Sequence, residues 1–308
     1  MSFQRISSRL RVGRPLVVDA DTGASFRARG VGLDSPGALG VLLRQRPQEV
    51  LDHYRAEVRS QVDVLCALTA DTTPRALAEV GMEHRSAMLT GLAVELALEA
   101  AAESTKPVAV AGVLGSEMVS PMASGRLGEE LGEHAERLKA AGCELLLARG
   151  QGSRLELMAS VAAAAGTELP TWAVVECLPN GEIVTGGALL PLLAPLQDAG
   201  ASVLLLEVSS IETAFARLEE LTAALAAQLH PTGLAPGVLL AAGVASVRGF
   251  PDEDSDPLRW VQGALDLEAR GCRVIGGGAG TTESHTAALA RALGALHPTM
   301  RAIAPDSG

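Results

Sequence analysis

Ionisable residues follow short apolar runs at regular intervals along this chain. Asp19 and Asp21 come after the first run, Asp71 after the second, Glu117 after the third and Arg149 after the fourth. Glu176 and Cys177 follow the fifth, Glu207 the sixth, and a glycine loop at residues 276–280, containing Gly277 and Gly278, the eighth. Carboxylates brought to one cleft can act as general acids or bases, hold a hard cation such as magnesium, or receive a ligand's amine. Equally, an Asp at the start of a helix can cap it. An arginine leaving a buried strand needs a counter-charge, so Arg149 either pairs with a neighbouring acid or holds an anionic ligand. The glycine loop can present backbone N–H groups to a phosphate, or it is only a tight strand-to-helix turn. On this reading the catalytic candidates are Asp19, Asp71, Glu176 and Glu207, and the ligand-binding set is Asp19, Asp21, Glu117, Arg149, Glu176, Glu207, Gly277 and Gly278.

Other chemistries lack their residues. There is no Gly-x-Ser-x-Gly elbow, HExxH helix or Walker loop. The four cysteines, Cys66, Cys143, Cys177 and Cys272, have no metal-ligand spacing and read as reduced thiols of a cytoplasmic protein, with Cys66 inside a strand and Cys177 near a strand end. The six histidines, His53, His84, His134, His230, His285 and His297, fall on or beside helical segments, where surface or capping roles are expected.

Elements able to gather these residues are legible in the pattern. Strands are expected at residues 15–19, 62–67, 107–112, 144–148, 171–175, 203–206, 237–241 and 273–276. Helical periodicity follows them, for example at 128–141, 154–165, 211–229 and 284–296, with Thr281 or Thr282 capping the last. Repeated βα units in a 308-residue chain predict a single α/β domain, a TIM-type (β/α)8 barrel, over residues 15–297. Residues 1–14 read as an N-terminal arm and 298–308 as a tail. In such barrels the strand ends line one mouth, which makes these residues one candidate site. A net charge of −11 argues against nucleic acid and anionic membrane as partners. No signal peptide or apolar run of membrane-spanning length is expected, and the composition is compatible with a homo-oligomer.

Three stretches carry a family resemblance: LVVDADTGASFRARG at 16–30, RPQEVLDHYRAEVRSQVDVLCALTADTTPRAL at 46–77, and VIGGGAGTTESHTAALARAL at 274–293. Together they resemble the homocysteine S-methyltransferases. The resemblance implies a barrel in which three thiolates hold a zinc ion that activates the homocysteine thiol toward a methyl donor. Its thiolate positions fall here on Val208, Gly278 and Ala279, which carry no sulfur. The family's amine-binding acid aligns with Arg149, and an aromatic residue of the second-strand loop with Asp71, while Asp19 matches the first acid of the family. Valine, glycine and alanine offer zinc no lone pair, so no cofactor, and no zinc, is expected. The resulting expectation is a divergent, zinc-free barrel, inactive in zinc-thiolate methyl transfer, that binds another small molecule or a protein partner at its mouth. It is either an enzyme of new chemistry or a pseudoenzyme. The alternative is an active methyltransferase for homocysteine or another thiol, with a non-standard metal site drawn from Glu207, Asp71 and Cys177.

Overall fold

Apolar runs buried on both faces can be satisfied only in a parallel sheet covered by helices. The computed structural model describes residues 2–11, 13–33, 35, 37–115, 124–150, 153–180, 182–184, 186–227, 233–242 and 256–296. Its strands are β1 (Leu16–Val17), β2 (Val64–Ala67), β3 (Ala109–Leu114), β4 (Leu145–Arg149), β5 (Thr171–Cys177), β6 (Ala201–Val208), β7 (Ala235–Leu240) and β8 (Val274–Gly277). All neighbouring pairs are parallel, in the order β1-β8-β7-β6-β5-β4-β3-β2. The ring closes between β1 and β2 through a parallel bridge, Val18 to Val64, with Asp63 N–H donating to Val17 O at 2.8 Å. This is the expected TIM-type barrel. The third strand runs two residues later than expected, since Pro107 has no N–H for the ladder and the apolar alternation continues to Leu114.

Side-chain alternation sorts each strand into an inner and an outer set. Leu16, Val18, Val64, Ala109, Ala111, Leu145, Leu147, Trp172, Val174, Val203, Leu205, Leu239 and Val274 fill the barrel interior. The other parity packs against the helices in a second, larger cluster. The same alternation carries Arg149 on β4, Glu176 on β5 and Glu207 on β6 to the inner side at the mouth, two residues beyond Leu147, Val174 and Leu205.

The opposite end of the barrel is plugged. Residues read as an arm contain the helix Ser2–Arg11, whose Ile6 enters the interior cluster with Phe3 and Leu10 packed beside it. Phe3 meets Trp172 edge-on at 6.1 Å. Arg9 binds the buried Asp63 at 2.5 Å, and Lys106 reaches the same oxygen at 2.9 Å while Val17 N–H donates to the other at 2.9 Å. With this end filled, the barrel opens at the strand C-termini.

Candidate active site at the barrel mouth

A cavity of about 530 Å³ opens there, with a floor of Val18, Leu147, Val174 and Leu239. Its walls carry Asp19, Asp21, Asp71, Glu207, Arg27 and Arg149, along with Cys66, Thr69 and the Gly277–Gly278–Ala279 backbone. Among the described residues, four acids against two arginines leave the wall net acidic.

Arg149 and Glu207 form an ion pair across the mouth, reaching over β5 between them. Both are about three-quarters covered, so the pair is partly shielded from water. Of the two readings of Arg149, pairing with a neighbouring acid is the one realised. Glu176 shares their parity but is exposed and lies outside the cavity lining. Glu117 lies outside the described residues.

Asp19 is held at the seam that closes the barrel. β1 ends before β2 does, and the Asp19 carboxylate takes the place of the missing ladder carbonyl, accepting from Cys66 N at 2.7 Å. Its own carbonyl accepts from Gly277 N at 3.2 Å. Burial pushes the Asp19 carboxyl up to about 6, against the opposing effect of the Cys66 hydrogen bond. Its neighbour Asp21 is a structural cap. One oxygen accepts from Gly23 N at 2.8 Å at the start of the helix Thr22–Ala28, and the other from Gly280 N at 3.0 Å.

Asp71 enters the cavity on a braced turn after β2. Leu68 N donates to the Tyr54 hydroxyl at 2.7 Å, and Thr69 Oγ1 both donates to Val113 O and accepts from Val113 N, each at 2.9 Å. Below it, Thr72 Oγ1 donates to Thr69 O at 2.9 Å and Ser86 Oγ to Thr72 O at 2.6 Å. On the next strand, Gly115 has φ +105°, and a Cβ there would lie 2.6 Å from Arg149 O, so β3 can leave the barrel this close to β4 only as glycine.

The glycine loop after β8 is a packed turn. Gly277, Gly278, Gly280 and Thr281 N–H groups are donated to Asp19 O, Leu240 O, Asp21 Oδ2 and Gly278 O. With those donors spent inside the protein, the phosphate reading gives way to the tight turn. Thr282, of the two cap candidates, precedes the last helix Glu283–Leu296, and its N–H is accepted by His285 Nδ1 at 3.1 Å. Thr281 instead ties the loop, donating to Gly278 O at 2.8 Å and accepting from Asp21 N at 3.0 Å.

The zinc positions implied by the family resemblance can be tested on this geometry. Val208 is buried in the outer cluster with Cys177 and Leu240. A Cβ on Gly278 would meet Ala241 N at 2.9 Å and Leu239 O and Leu240 C at 3.0 Å, all of them backbone. The residues present therefore fit neither the chemistry nor the space of a three-thiolate site. Among the described residues no three His, Cys, Asp or Glu side chains are grouped to hold a metal ion. Cys177, expected near the mouth, faces the helix layer, where burial pushes its thiol up to about 12.

Three features were missed from sequence. Cys66 lines the cavity beside Asp19, and burial followed by the Asp19 charge raises its thiol well above the ordinary value. Its parity with Val64, an inner residue, was the available signal. Arg27, in the last turn of the helix Thr22–Ala28, stands on the wall within 3.6 Å of Asp21. Of the histidines expected in surface or capping roles, His53 and His134 are instead buried on the inner faces of their helices, while His285, also buried, caps its helix by accepting from Thr282 N. Burial drives His53 and His134 down to about 4, so both are neutral.

A family model for homocysteine S-methyltransferase matches residues 16–293. The chain belongs to the homocysteine S-methyltransferase family. Among solved structures it is similar to the homocysteine methyltransferase MmuM from Escherichia coli. The metallated form matches with TM-score 0.76 at 19% identity, covering 93% of this chain and 99% of that one. The oxidized form matches with TM-score 0.74 at 20% identity, with the same coverage. A 3-dehydroquinate dehydratase from Geobacillus kaustophilus shares the barrel more distantly, at TM-score 0.54 and 10% identity over 92% of each chain. No curated protein sequence matches the chain. No helix among the described residues is long and apolar enough to cross a membrane.

Proposed function

We infer that this homocysteine S-methyltransferase-family barrel works without the three-thiolate zinc and binds a small molecule in the mouth cavity, as a cytoplasmic protein with four reduced thiols. The observation that carries the reading is the closure of position 278. There the β7 backbone occupies the space a cysteine side chain would need, and Val208 and Ala279 add no ligand. The ion pair of Arg149 with Glu207 supports a change of ligand, because a guanidinium stands where the family resemblance places the acid that meets the homocysteine amine. A cavity of about 530 Å³ with an apolar floor and charged walls suits a small molecule better than a protein surface. Asp19, Asp71 and Glu207 are then the groups able to exchange a proton with the ligand or hold it. A pseudoenzyme would use the same cavity for binding alone.

Metal content and methyl transfer test this together. Purified protein, supplied with zinc and then desalted, is expected to retain far less than one zinc per chain and to transfer no methyl group from S-methylmethionine to homocysteine. One zinc per chain together with transfer would overturn the inference and establish the alternative, a methyltransferase with a non-standard metal site.

A further inference from the structure

The helix Pro47–Arg59 buries the carboxyl group of Glu57, which no structural role consumes. Glu57 has no exposed surface, and neither of its oxygens has a hydrogen-bond partner. Ala20 N–H and the Thr286 hydroxyl face it and offset part of the burial, which places the carboxyl against the end of β1, next to the residue that opens onto the cavity. One turn earlier on the same helix face, His53 is equally buried, between Phe26 at 5.0 Å and Tyr54 at 5.8 Å, with both ring nitrogens unpartnered.

A carboxylate sealed from water with no donor in hydrogen-bonding geometry is too costly to persist, so the group keeps its proton. The negative charge of Asp19 acts in the same direction. On the cavity side, Arg149, which acts on Cys66 beside Asp19, is paired with Glu207. His53 is neutral, Tyr54 and Cys66 are held protonated by burial, Glu283 on the last helix adds negative charge, and Arg29 pairs with Glu283 at 3.0 Å. The charges that act on Glu57, those of Asp19 and Glu283, are both negative.

We propose that Glu57 and Asp19 form one coupled carboxyl pair, in which Glu57 keeps its proton away from solvent throughout and Asp19 carries the charge that exchanges a proton with the molecule in the cavity. The proton balance is simple. When a bound molecule gives up a proton, Asp19 takes it on a carboxylate oxygen, both carboxyls are then neutral, and the ligand is left one charge more negative; the reverse transfer restores the starting state. Neutral Glu57 lets Asp19 be charged, because two ionised carboxylates could not coexist in this site. The ligand class this favours is one with a weakly acidic N–H, O–H or S–H group at the Asp19 wall.

This inference rests on the mouth cavity as the ligand site, but its test needs only the protein alone. The probe is the infrared C=O stretch of protonated carboxyl groups, followed as pH is raised through neutrality. Wild type is expected to show one buried protonated carboxyl at neutral pH, and Glu57→Gln to lose that band. In Asp19→Asn, which keeps an oxygen for Cys66 N, the band should vanish at a pH lower by about 1 unit or more, since a neighbouring charge is gone. Absence of the band from wild type, its survival in Glu57→Gln, or an unmoved midpoint in Asp19→Asn would overturn the proposal. Should Glu57→Gln not fold, Glu57→Met subtracts the same band, and the Asp19→Asn comparison needs neither. Because no ligand or metal enters the measurement, its failure leaves the zinc and methyl-transfer result standing, and the converse holds.

Discussion

Gly278→Ala adds a single carbon at the position where the family resemblance places a zinc thiolate. That carbon would lie 2.9 Å from Ala241 N and 3.0 Å from Leu239 O and Leu240 C, at the end of β7. None of these atoms can swing aside as a side-chain tip would. The loop must shift instead, straining the Gly278 N–H to Leu240 O bond of 2.8 Å and the Ala242 N–H to Ala279 O bond of 2.9 Å. Overpacking of this kind costs roughly 1–3 kcal/mol, and weakening two hydrogen bonds adds about 1 kcal/mol. Against this, alanine reduces the freedom of the unfolded chain and returns about 0.4–1 kcal/mol. Position 278 is not among the residues with positive φ, so no backbone strain enters. The net expectation is a loss of about 1–3 kcal/mol, read as a lower urea midpoint with unchanged slope. Ala279→Cys, which already has its Cβ, should cost less than about 1 kcal/mol. The triple variant Val208→Cys, Gly278→Cys, Ala279→Cys should be destabilised further and still hold no stoichiometric zinc. Gly278→Ala as stable as wild type, or one zinc per chain in the triple variant, would refute the steric argument.

Asp19 retains its proton up to about pH 6 when folded, against 3.8 ordinarily, so the folded state binds more protons between those values and stability falls as pH rises through that window. The loss, about 3 kcal/mol, should appear in urea midpoints measured across the window, and Asp19→Asn should flatten it. For Arg149 and Glu207, a double-mutant cycle with Arg149→Met and Glu207→Gln should give a coupling of about 1 kcal/mol, modest because both side chains are about a quarter exposed. A coupling near zero would mean that the pair does not persist in solution. Asp63→Asn should cost about 2–4 kcal/mol by leaving Arg9 and Lys106 without their shared acid, and should speed proteolytic loss of the N-terminal helix. Unchanged proteolysis would show that the plug is held by Ile6 and Phe3 alone.

Much of the architecture is local, which is why it could be read along the chain. Apolar runs such as those around Leu145 and Val203, alternating with helical Ala and Leu, dictate strand and helix through side-chain period alone, and their number and order leave a barrel as the economical closure. Strand ends then place Asp19, Asp71, Arg149 and Glu207 at one mouth. The alignment of Val208, Gly278 and Ala279 with thiolate positions also needs no coordinates.

Which of these residues meet is a property of the closed ring. Arg149 and Glu207 are 58 positions apart and pair because equal parity on β4 and β6 turns both inward over β5. Asp21 and the glycine loop join across 259 positions, spending on each other the donors that a phosphate would have needed. Cys66 reaches the cavity because β1 stops short and Asp19 completes the ladder at its backbone. Glu57 and His53 show helical spacing like any surface pair, and only packing of their helix against β2 and the neighbouring helices strips both of water. Sequence determined the elements and the inventory of charges; the tertiary structure decided which charges are paired, which are buried and which face the cavity, because desolvation and Coulomb energy depend on distances in space rather than along the chain.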